Sequence, residues 1–156
     1  MKLPGKLRTR ALLFSFLATF AAAYLGAAET ASQAVKIKID TILASNQKDE
    51  FDSRLKPIEK QLKKSLKYRS YRLLKEESQN LPAQGNGSFD VPGGRTLIVS
   101  PQDFTNQQIA LKVRLQGGEK PLLDTTLKLE NKTNFIFAGP PHENGVLVLV
   151  IWATVQ

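Results

Sequence analysis

Outside the first 28 residues, the longest unbroken apolar run is Val146 to Ala153, read in full as Gly145-Val146-Leu147-Val148-Leu149-Val150-Ile151-Trp152-Ala153. A strand with one wet face alternates apolar and polar side chains. The six valyl, leucyl and isoleucyl residues from Val146 to Ile151 do not alternate, so both faces of this strand must be covered. The chain therefore has to supply neighbouring strands on its two edges and a helix across one face.

The preceding residues contain candidates for each part. Ala34 to Leu43 sets Val35, Ile37 and Ile39 on one face and Lys36, Lys38 and Asp40 on the other, which predicts a half-exposed first strand. A polar loop over 44–50 follows. Asp52 or Ser53 is a candidate helix cap, and Pro57 is compatible with a helix only in its first turn, so the helix begins within two residues of Arg54. Leu55, Ile58, Leu62 and Leu66 then form one apolar stripe at helical spacing. Tyr68 to Leu74 turns to strand character, followed by a polar stretch. Pro92-Gly93-Gly94 and Gly117-Gly118 are hairpin turns, since glycine reaches the positive φ that tight turns require. Ile109, Leu111, Val113 and Leu115 alternate into the second turn, and Leu123, Thr125, Leu127 and Leu129 alternate out of it. Asn131 to Asn134 makes a third turn into Phe135 to Ala138, and 139–145 forms the last connection. Short connections dictate antiparallel pairing. The expected fold class is α+β: one amphipathic helix packed on an antiparallel sheet of six to eight strands.

The amino terminus predicts a targeting segment. Lys2, Lys6, Arg8 and Arg10 precede the uncharged stretch 11–23, and Gly26-Ala27-Ala28 offers small residues for cleavage, so residues 1–28 read as a secretory signal peptide. The alternative is an N-terminal membrane anchor, because 11–28 holds no charge. Residues 29–156 then form a single α+β domain, periplasmic or secreted. The leader accounts for four of the 22 basic residues, leaving 18 against 14 acidic ones, a net of +4. A mild charge of this size gives no case for nucleic acid as a partner. Without cysteine, disulfides and thiolate metal sites are excluded, and the lone His142 cannot build a histidine zinc centre. No cofactor is implied, because neither phosphate-binding glycine motif occurs.

The charge is nonetheless concentrated. Residues 54–72 carry eight basic residues against Glu59 alone. Lys56, Lys60, Lys63, Lys64 and Lys67 fall on one helical face, with five like-charge pairs at i,i+3 or i,i+4 that cost roughly 1 to 2.5 kcal/mol of local repulsion together. Arg69 and Arg72 follow, alternating with Tyr68 and Tyr71. These seven basic residues are the candidate contact surface for an anionic partner: an envelope protein, an anionic lipid or an acidic polymer, with peripheral membrane contact included.

Tyr68-Arg69-Ser70-Tyr71-Arg72-Leu73-Leu74, Pro92-Gly93-Gly94-Arg95-Thr96-Leu97 and Ala138-Gly139-Pro140 followed by Gly145-Val146-Leu147 resemble segments of small exported bacterial proteins without an assigned function. The resemblance implies bacterial export and a single domain, and it carries no catalytic residue across. The reading that follows is a non-enzymatic binding or assembly module of the bacterial cell envelope. The alternative is a small periplasmic hydrolase acting on an envelope polymer, for which His142, Ser100, Asp103 and Glu143 are the available groups without a spacing that places them together.

Overall fold

A computed structural model describes residues 33–156, which belong to one compact unit. The expected signal peptide lies outside the described residues. Nine strands dominate: β1 (Ala34–Ser45), β2 (Glu50–Phe51), β3 (Ser70–Pro82), β4 (Gly87–Val91), β5 (Arg95–Phe104), β6 (Gln108–Gly117), β7 (Lys120–Glu130), β8 (Thr133–His142) and β9 (Gly145–Val155). A 3-10 turn, Ser53–Ile58, runs into the short helix α1, Glu59–Ser65.

The expected α+β class is overturned. The strands form two sheets, one ordered β2-β3-β1-β9-β8 and the other β4-β5-β6-β7, so the protein is a two-layer β-rich fold with a 13-residue helical segment on one outer face. The reason is the number of strands with an inward apolar row. Phe89, Leu97, Val99, Ile109, Leu111, Val113 and Leu115 need an apolar face opposite them, and Val35, Ile37, Ile39, Leu147, Leu149 and Ile151 of the first sheet provide it. Pairing is antiparallel throughout except for the two-residue β2, which runs parallel to β3.

β9 lies inside the first sheet, paired with β1 on one edge and β8 on the other. Leu147, Leu149, Ile151 and Ala153 enter the core between the sheets, while Val148 and Val150 lie beneath the helical segment. Its lack of alternation thus has a direct cause: both faces are dry. The apolar stripe of the helix sits where its spacing places it, with Leu55, Ile58 and Leu62 buried against Ile42, Ala44, Tyr71 and Leu73, and Leu66 packed at the margin.

β3 is longer than the sequence suggests. Its register with β1 shifts between Thr41 and Ile42, where Leu74 is the extra residue on β3. This bulge turns Leu74 toward the core between the sheets, while Leu73 and Tyr71 stay under the helix. Beyond it, 75–80 carries no apolar residue yet pairs with β1 along its whole length. Both Gly-Gly turns form as expected, with φ of +86° and +69° at Gly93 and Gly94 and +64° at Gly118. The last connection is shorter than expected: β8 continues through Pro140 and Pro141 to His142, and only Glu143 and Asn144 turn. As an edge strand, β8 accommodates prolines because it has no neighbour to receive their missing N–H.

Candidate functional site

The helical segment is clamped at both ends. At its start, Asp52 Oδ1 accepts the Arg54 backbone N–H at 3.0 Å, and Oδ2 accepts that of Leu73 on β3 at 3.2 Å. Arg54 closes a two-point ion pair on the same carboxylate. Hydrogen bonds from Arg54 hold the Asp52 carboxyl well below the usual aspartate range. At the far end the buried Tyr71 hydroxyl donates to the Leu66 carbonyl at 2.9 Å, and burial pushes its pKa up. Asp52→Ala is expected to cost about 1 to 2 kcal/mol at neutral pH through the lost cap. Because the folded pKa is depressed, the stabilisation is complete above the ordinary aspartate value and fades as pH falls below it. The gap between urea melts of parent and variant should therefore hold from pH 7 to about pH 4 and narrow progressively from there toward pH 2, and a gap that stays constant below pH 4 would contradict this role.

Seven basic residues were candidates for one surface, and the structure divides them. Lys56 and Lys63 both reach Glu59, at 3.3 and 2.6 Å, and Lys63 also lies 5.1 Å from the centre of the Phe51 ring. Arg69 forms a two-point ion pair with Asp49. Lys67 is not on the helix, because Leu66 is already extended (φ −134°, ψ 141°). Arg72 points to a different place, a polar hollow of about 270 Å³ shared with Lys48, Glu50, Glu143 and Asn144. Tyr71 is fully buried and offers no ring for stacking. Lys60, Lys64 and Lys67 remain, exposed and without an ion pair among the described residues. The candidate ridge is therefore these three.

The residues considered for hydrolysis are not drawn into one arrangement. His142 Nε2 lies 3.8 Å from Glu143 Oε1 at the end of β8, whereas Ser100 Oγ accepts a hydrogen bond from Gln102 at 3.1 Å. No family model, curated protein or solved structure matches the chain.

A second constellation was not legible in the sequence. Asp40, read as a solvent-facing residue of β1, is buried under the 3-10 turn, and its Oδ2 accepts the Trp152 indole N–H at 2.7 Å. Lys38 Nζ stands 3.3 Å from Asp40 Oδ1, 3.3 Å from Glu76 Oε2 and 5.0 Å from the centre of the Trp152 ring. Burial raises the Asp40 pKa, with the Trp152 hydrogen bond and Lys38 pulling the other way. Together with Arg54, Leu55, Pro57, Ile58 and Leu73 these groups line a cavity of about 120 Å³. Pockets for drug-sized ligands run from about 300 Å³ upward, so this one suits a single small group.

Proposed function

We propose that the protein is a non-enzymatic binding module of the bacterial cell envelope that holds an anionic surface against Lys60, Lys64 and Lys67. The observation that carries this reading is that these three ammonium groups, unlike Lys56, Lys63 and Arg69, have no carboxylate within ion-pair distance among the described residues. Lys60 and Lys64 stand on the helical segment anchored by Leu55, Ile58 and Leu62, and Lys67 follows just past its extended cap residue Leu66. Lysine is a compact, hydrated point charge, which suits a diffuse anionic layer more than the two-point recognition that arginine provides. Lipid headgroups and acidic polymers share that chemistry.

Binding of the chain to vesicles with and without anionic lipid, and to an acidic polymer on beads, distinguishes the two sources. At ~1 kcal/mol per lysine near a charged layer, Lys60→Gln, Lys64→Gln and Lys67→Gln together should weaken binding roughly 100-fold. Lys56→Gln with Lys63→Gln should weaken it far less, since Glu59 already opposes those charges. Binding should also fall as salt rises from 50 to 300 mM. Equal retention of parent and triple variant on every support would remove the proposal.

A further inference from the structure

The cavity beside Asp40 has features that a purely structural ion pair does not need. The Asp40 side chain is 5% exposed, yet its Oδ1 accepts no hydrogen bond. Lys38 Nζ is near enough for charge attraction but lacks the alignment to donate to that oxygen. Buried polar atoms are nearly always paired, and here Oδ1 is met by the charge of Lys38 without a well-aligned donor. Around it stand a second carboxylate, Glu76, directly opposite Asp40 in the β1–β3 register, and the face of Trp152. Arg54, the other cation at the rim, is already committed to Asp52 and to the Leu73 carbonyl. With two carboxylates and Lys38, the unit carries one net negative charge.

Carboxylates and an aromatic face are the groups that recognise an ammonium ion. Lys38 demonstrates the preference by placing its own ammonium there, and its side chain is 31% exposed, so it can turn to solvent without unpacking the sheet. A metal ion is a poorer fit, since no group of three histidine, cysteine, aspartate or glutamate residues exists among the described residues. We propose that this cavity is a binding site for a small primary amine, whose N–H groups satisfy Asp40 Oδ1 and Glu76, and that Lys38 is a built-in occupant displaced when the amine enters.

Trp152 is the only tryptophan, so its emission reports on the site directly. Parent and Lys38→Ala chains are titrated with methylammonium chloride against sodium chloride at equal ionic strength. The expected result is a saturable change in Trp152 emission in both, with an affinity at least tenfold higher in Lys38→Ala. Adding Asp40→Asn to Lys38→Ala should lower that affinity at least tenfold, whereas Lys120→Gln, exposed on β7 of the other sheet, should leave it unchanged. A response to methylammonium no different from that to sodium in both chains would overturn the proposal, as would indifference to Asp40→Asn. Should Lys38→Ala fail to fold, the Trp152 indole N–H resonance of the parent carries the test: a saturable shift with methylammonium supports the site, and no shift overturns it.

Discussion

Gly145→Ala is expected to destabilise the protein by about 3 kcal/mol, although alanine differs from glycine by one methyl group. A Cβ at this position would stand 2.1 Å from the Ala44 carbonyl oxygen and 3.0 Å from both the Ala44 carbonyl carbon and Ser45 Cβ. The oxygen is backbone and cannot swing aside. Gly145 opens β9 opposite Ser45, the last residue of β1, so relief requires the two strands to part where their pairing begins. Gly94→Ala is the control. There φ is +69° and nothing lies within 4 Å, so only the left-handed backbone opposes the methyl group, at about 1 kcal/mol. Urea midpoints compare the two at constant slope. If Gly145→Ala costs no more than Gly94→Ala, β1 and β9 are not as close as described.

The second large effect concerns neighbours on opposite faces of β9. Leu149→Ala should cost about 3 kcal/mol, by opening a cavity between the sheets, and Val150→Ala about 2 kcal/mol, by opening one beneath the helix. In a strand with a single dry face, one of two adjacent substitutions is nearly silent. Here neither should be, since both side chains are fully buried. A change below 0.5 kcal/mol at either position, read from the same melts, would show that face to be wet.

These residues also show which parts of the fold a sequence makes legible. Features set within a few residues were readable: the Asp52 cap, the Leu55, Ile58 and Leu62 stripe, the Gly-Gly turns and the unalternating run of β9. The division into two sheets was not. Alternation in β5, β6 and β7 states which side chains point inward, but a row of leucines looks the same whether a helix or another sheet covers it. The division is made at connections that carry no mark of changing layer, 83–86 between β3 and β4 and Asn131–Lys132 between β7 and β8. The polar half of β3 was hidden for a related reason. Residues 75–80 have no apolar row, and their strand state comes from pairing with β1.

The same division runs through the candidate sites. The lysine cluster was visible as charge, and the Glu59 spacing to Lys56 and Lys63 is local, but Lys67 was assigned to a helix that ends at Ser65. The Asp40 constellation had no local signal. Asp40 and Trp152 are 112 residues apart, brought together by the β1–β9 register, and Glu76 joins them through β3. A lone aspartate at an alternating position looks solvated until its neighbours in space are known.

Every part of the fold depends on β9 lying paired on both edges and covered on both faces. Native-state hydrogen exchange of its backbone amides tests it most directly. The amides of Val148, Leu149 and Val150 should open only with global unfolding, giving exchange free energies equal to the unfolding free energy from urea melts. Exchange of these three amides at the rate of the edge strand β7, well before global unfolding, would contradict the account.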